Sequence, residues 1–225
     1  MTIHLEKELS RLKKGILEIG AHVESNLFKS LEAVHKLNAN MVKEIYESDN
    51  KIDQLEVELE EQCLKIMALY HPVASDLRFV VSVLKINSDL ERIGDLAVNI
   101  ARIAAYLAEE EPVKVPFKFD EMSSQVRGML KKALDSLVNM DAKQAHQVCV
   151  DDDGVDAIHR KMYGKVYQGI NDTPSHAKAL IHYLSISRHL ERVADMTTNI
   201  AEDVIYMIEG VIIRHHLNAF DSISE

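Results

Sequence analysis

Apolar residues recur in steps of three and four from the start of the chain. Leu5, Leu9, Leu12, Ile16, Ile19, Val23, Leu27, Leu31, Val34 and Leu37 form one stripe. That spacing predicts a long amphipathic helix over residues 4–37. Asn38 to Asn40 interrupt it. A second stripe, Met41, Ile45, Ile52, Leu55, Leu59, Ile66 and Tyr70, predicts a helix that stops at His71-Pro72, because proline disfavours helical geometry in the residue before it. A third helix is expected from about Ala74 to Leu107. The stretch EEEPVKVPFKFD, with two prolines, then breaks the pattern and reads as a linker.

Beyond the linker the pattern restarts. Helices are expected over 121–139, 142–169 and 174–213, the last opened by Thr173 as N-cap and Pro174 as first helical residue. The restart is a copy. DLERIGDLAVNIA (89–101) and HLERVADMTTNIA (189–201) share seven of thirteen positions. Upstream, residues 30–53 align without a gap to 133–156, at an offset of 103 against 100 downstream. Three extra residues therefore lie near the turn between the second and third helices of the first copy. The expected fold is all-α: a tandem duplication of an antiparallel three-helix bundle, with repeats at 1–111 and 112–225.

Composition narrows this further. Four prolines and eight glycines in 225 residues leave few of the turns a β protein needs. A formal charge of −10 opposes binding to nucleic acid or to an anionic membrane, and allows cation binding. Cys63 and Cys149 form no CxxC pair and read as buried, reduced thiols. The charged N-terminus does not resemble a signal peptide, and Glu209 interrupts the apolar run near the C-terminus. A cytoplasmic protein without membrane insertion is the expectation.

The candidate chemistry lies in acidic pairs four residues apart. They are Asp49/Asp53 and Glu91/Asp95 in the first repeat, and Asp152/Asp156 and Glu191/Asp195 in the second. That spacing stacks two carboxylates on one helical face, where they repel. An acid-rich chain produces several such pairs by chance; these four are distinguished by occupying aligned places in both repeats. If the second and third helices are antiparallel neighbours, the pairs of one repeat face each other. Converging carboxylates need a cation or raised pKa values. Hard oxygen donors suit Mg, Ca or Mn, and iron also accepts them. The other reading is a solvated acidic face.

On a helical wheel Glu91 and Asp95 lie opposite the Leu90, Ile93, Ala97, Ile100 stripe, which predicts an outer groove, with Asp49 and Asp53 at the edge of the apolar face. Glu56 aligns with His159, so the second set reads Asp152, Asp156, His159. Arg92 and Arg192 are expected in ion pairs. Asn99 and Asn199 are expected behind the ligands or in interhelical hydrogen bonds. Gly154 costs its helix about 1 kcal/mol relative to Ala. His215 and His216 read as exposed bystanders, and His189, in place of Asp89, has no evident role.

The double LERIGD/LERVAD motif, each followed by N-I-A, strongly resembles the PhoU family over essentially the whole chain, as does SDLR at 75–78 after His71-Pro72. The resemblance implies a six-helix protein of two bundles, with multinuclear iron, zinc, manganese or magnesium clusters on Asp49, Asp53, Glu91, Asp95, Asp152, Asp156, Glu191 and Asp195. It implies a homodimer without catalytic residues, peripheral to the membrane only through its partners. It further implies a negative regulator of phosphate uptake and of the phosphate-starvation response, linking the ATPase of the phosphate ABC transporter to a sensor histidine kinase. The competing expectation is a carboxylate-bridged multinuclear metal enzyme, an oxidase or hydrolase, or a metal store on a helical scaffold. Asp156-x-x-His159 is the feature nearest to such a site.

Overall fold

The computed structural model describes residues 2–213, which excludes His215 and His216. Six helices follow in order: α1 (Thr2–Lys36), α2 (Met41–Tyr70), α3 (Ala74–Glu109), α4 (Phe119–Asn139), α5 (Ala142–Asp172) and α6 (Ala177–Glu209). No strand occurs among the described residues. Helices α1, α2 and α3 pack mutually as one bundle, and α4, α5 and α6 as the other. The predicted stripes are the packed faces. Leu12, Ile16, Ile19, Val23, Ile52, Leu59, Ile66, Leu90, Ile93 and Ile100 are all buried.

The breaks also have local causes. His71 takes φ 45°, ψ 58° and ends α2 ahead of Pro72. Gly210, at φ 74°, ends α6 with its N–H on the Tyr206 carbonyl, a helix end that glycine adopts at little cost. The start of α6 differs from expectation. Thr173 makes no side-chain cap, and Pro174–His176 form a 3-10 turn. Its hydrogen bonds close over three residues, His176 N–H to the Thr173 carbonyl at 3.0 Å, so α6 proper begins at Ala177. The linker is anchored by Phe117 and Phe119, buried edge-to-face at 5.8 Å.

The bundles join mainly through α3 and α6, with a smaller contact between α1 and α4. These two helices run antiparallel: Lys85 meets Asp203, Tyr106 stacks on His182 at 5.6 Å, and Arg78 lies beside Gly210. This pairing puts the middle of the crossing near Gly94 and Ala194, inside the two copies of the repeated motif. One continuous apolar core runs through both repeats.

Candidate metal centre

In each repeat the register brings the two acidic pairs together. Asp49 on α2 feels the charges of Asp53, Asp95 and Glu91. Burial first, then those neighbours, push its carboxyl up to about 6. Burial likewise raises Glu91, followed by Asp95, Asp53 and Glu56, against a partial offset from Arg92. In the second repeat, burial and then Asp195, Asp156, Asp153 and Glu191 push Asp152 up to about 7. Glu191 is raised by burial, Asp195 and Asp156, and lowered somewhat by Arg188 and Arg192. Asp195 is raised by burial and Asp156, with Arg192 and His159 opposing. Asp152, and not Asp151 or Asp153, is therefore the member of the acidic run that faces the cluster most closely; Asp151 turns away to Lys132 at 2.7 Å.

The wheel's outer groove holds only in part. Asp53 and Asp95 are exposed, and Glu91, Asp152, Asp156, Glu191 and Asp195 are half-buried. Asp49 lies deeper, with 9% of its surface exposed. The cause is Gly94. A Cβ there would stand 2.9 Å from Asp49 Oδ1 and 3.3 Å from Ile52 Cδ1, so the missing side chain is the notch that α2 fills. Among the described residues no three His, Cys, Asp or Glu side chains converge closely enough to hold a metal ion. The donors are grouped by helix pair, two from each helix, without closing on a point.

The flanking residues divide. Arg92 pairs with Asp89 within α3 at 3.9 Å, as expected of it; Arg192 acts on Glu191 and Asp195 through its charge. Asn99 accepts from Arg102 at 3.4 Å on its own helix, and Asn199 Nδ2 lies 4.0 Å from Met196 Sδ. Among the described residues, these side chains form no interhelical hydrogen bond. His189 is half-buried, its Nδ1 has no hydrogen-bond partner, and burial and the two nearby arginines hold its pKa down. Cys63 and Cys149 are free, and burial pushes both thiols up to about 12, which makes them unreactive.

Sequence reasoning missed a cleft of roughly 700 Å³ between α3 and α6, lined by Lys85, Asp89, Arg92, Asp152, Asp195 and Asp203 among others. At its edge Lys85 Nζ donates to Asp203 Oδ1 at 3.0 Å, and Asp203 is 2% exposed. The repeat comparison hides this pair, because Lys85 aligns with Ser185 and Asp203 with Ile103. The second acid cluster opens onto this cleft through Asp152 and Asp195.

Comparison with known proteins places the whole frame. The PhoU domain family model matches twice, at residues 16–104 and 119–204, one match per bundle. A phosphate-specific transport system accessory protein PhoU homolog of Aquifex aeolicus is 37% identical, over 94% of this chain and 96% of that one. PhoU homolog 1 of Thermotoga maritima is 32% identical, over 99% and 97%. Crystal structures agree: PhoU from Pseudomonas aeruginosa superposes with a TM-score of 0.87 at 32% identity, covering 92% of this chain and 99% of that one. The phosphate transport system regulatory protein PhoU from Streptococcus pneumoniae gives 0.83 at 28% identity, covering 92% and 98%. Two bundles, two family matches and the paired LERIGD/LERVAD helices at their junction agree: this chain belongs to the PhoU family.

Proposed function

We propose that this chain is a non-enzymatic accessory protein of phosphate transport that represses high-affinity phosphate uptake and the phosphate-starvation response. It does so from the cytoplasm, as a homodimer, through contacts with the transporter ATPase and a sensor histidine kinase. The observation that carries this reading is end-to-end similarity to proteins named as accessory to phosphate-specific transport. No helix among the described residues is long and apolar enough to cross a membrane, so membrane proximity would come through partners. Co-purification tests the adaptor role. Tagged protein should retain both the ATPase and the kinase; retention of neither contradicts it.

The acid clusters have the donor chemistry for a cation, and their side chains would have to close further to hold one. Burial and then the neighbouring carboxylates raise Asp49 in one and Asp152 in the other, and Asp152 Oδ1 is buried without a hydrogen-bond partner among the described residues. We assign Asp49, Asp53, Glu91 and Asp95 to one centre, and Asp152, Asp156, Glu191 and Asp195 to the other, for divalent or iron ions. A bound cation neutralises the repulsion and ties α2 to α3 or α5 to α6. Elemental mass spectrometry of tag-free protein is the test. Metal should be present in the native chain and lost in Glu91→Ala/Glu191→Ala; a metal content equal in both contradicts the assignment.

A further inference from the structure

Helices α2 and α5 take no part in the junction between the bundles among the described residues, and their outer faces differ in charge. Residues 54–68 of α2 hold Glu56, Glu58, Glu60 and Glu61 against Lys65 alone. The aligned residues 157–171 of α5 hold Arg160, Lys161 and Lys165 and no acid, in a chain of formal charge −10. The fold turns this basic run outward. Met162 and Val166 are buried, whereas Arg160, Lys161, Tyr163, Lys165 and Tyr167 are exposed, Tyr167 with 72% of its surface. Among the described residues neither Lys161 nor Lys165 forms a salt bridge, and Arg160 Nε donates to the Asp156 carbonyl of its own helix at 3.3 Å. Lys161 and Lys165 stand one turn apart, where like charges repel. With Lys118 they rim a hollow of about 100 Å³ lined also by Phe117 and Ile158. The acid at this hollow, Glu121, is paired to Lys118 at 2.6 Å. Gly164 lies within the same face. A Cβ there would meet nothing within 4 Å, so no internal contact requires glycine. A glycine inside a helix is unfavourable, and its bare backbone lets another chain approach closely.

These features select a class of partner. The cations call for an anion. The hollow is far smaller than the roughly 300–1,000 Å³ of a small-molecule pocket, which favours surface docking. A nucleic acid or an anionic bilayer would meet the field of a chain that is negative as a whole; a short acidic segment meets only the local patch. Exposed tyrosines and an arginine are the side chains that anchor protein interfaces. We propose that the outer face of α5 docks an acidic segment of a partner protein. Carboxylates of that segment lie on Lys118, Lys161 and Lys165, and its apolar side chains on Tyr163 and Tyr167. The inference rests on the adaptor reading above and gives one of its contacts a face and a chemistry. Glu58, Glu60 and Leu64 occupy the aligned places of Lys161, Tyr163 and Tyr167, so α2 cannot make the same contact.

The test places a photo-crosslinking amino acid at exposed Gln168 of the full chain and, for comparison, at exposed Lys65, its aligned place on α2. In the native cell, position 168 should capture an acid-rich protein segment, identified by mass spectrometry, and position 65 should not. Lys161→Glu/Lys165→Glu should cut the yield at least about tenfold, because like charges brought together across an interface repel. Exchanging the captured segment's acids for lysines should then restore it. Circular dichroism checks folding, and Lys161→Gln/Lys165→Gln, which should also lower the yield, serves if the reversal unfolds the helix. Capture of lipid, of nucleic acid or of a second copy of this chain overturns the inference, as does a yield that the charge variants leave unchanged or no capture at all. If the ATPase and kinase co-purify regardless, the adaptor reading stands without this face. If neither co-purifies while an acid-rich segment of another protein is captured and lost on charge reversal, the adaptor reading fails and this contact stands.

Discussion

Asp49 and Asp53 are one turn apart on α2, yet one is buried and the other exposed. Spacing alone puts both on one face; only the neighbouring helix decides which of them it covers. Gly94 makes that decision, since its missing side chain is the space Asp49 occupies. Gly94→Ala should therefore destabilise the protein by about 1–3 kcal/mol, the usual cost of overpacking, and outweigh the helix-propensity gain. Gly128 is the control. A Cβ there meets nothing within 4 Å, so Gly128→Ala should stabilise α4 by about 0.5–1 kcal/mol. Urea denaturation of both variants measures the contrast; equal effects would remove the notch argument. Titration gives a second residue-scale expectation. Asp49 and Asp152 bind protons more tightly folded than unfolded, with carboxyls at about 6 and about 7 against 3.8. The cost of burying these charges, and then of crowding them with other carboxylates, is absent below about pH 4 and complete above about pH 7, so the metal-free protein should lose stability as pH rises through that window. Asp152→Asn should flatten the loss. Urea melts in chelator at pH 5 and pH 8 read it, and a slope that Asp152→Asn leaves unchanged would reject this account.

At the scale of helices, much was legible because each stripe is read by one packed face. The end of α2 follows from His71-Pro72, and α5 opens at Ala142 with the Asp141 side chain accepting from Gln144 N–H at 3.0 Å, a cap not used in the sequence analysis. The pairing of acids within each repeat followed from aligned four-residue spacings, since neighbouring antiparallel helices need only the right register to bring them together. The opening of α6 was misread, because Thr-Pro signals a helical first turn without distinguishing α from 3-10. Lys85 and Asp203 escaped notice for another reason. They belong to one half of the α3–α6 seam, and comparing repeats finds only what is written twice. Lys85→Met takes the cation away from an aspartate that is 2% exposed. It should cost about 1–3 kcal/mol, below the usual 3–5 for a broken buried pair, because the Lys85 side chain is 38% exposed. Lys85→Ser/Asp203→Ile, which writes the other half's residues into this one, should recover most of the loss. Thermal melts of the three proteins check this; a double variant no better than the single would deny that the pair is coupled.

For the whole molecule, duplication explains both the likeness and the difference of its halves. A shared core and an antiparallel α3–α6 crossing hold two acid-bearing helix pairs in one body. A net negative charge and acids grouped by repeat mark its surface, and free buried thiols its core. What no residue pattern spells out is the partner, because a docking face is defined by the surface it meets. The central claim is therefore tested in the cell. Expression of a phosphate-starvation reporter should be measured at high phosphate with and without this protein. Its removal should derepress the reporter, and the native chain supplied in trans should restore repression. A reporter that stays silent without the protein would contradict the regulatory account.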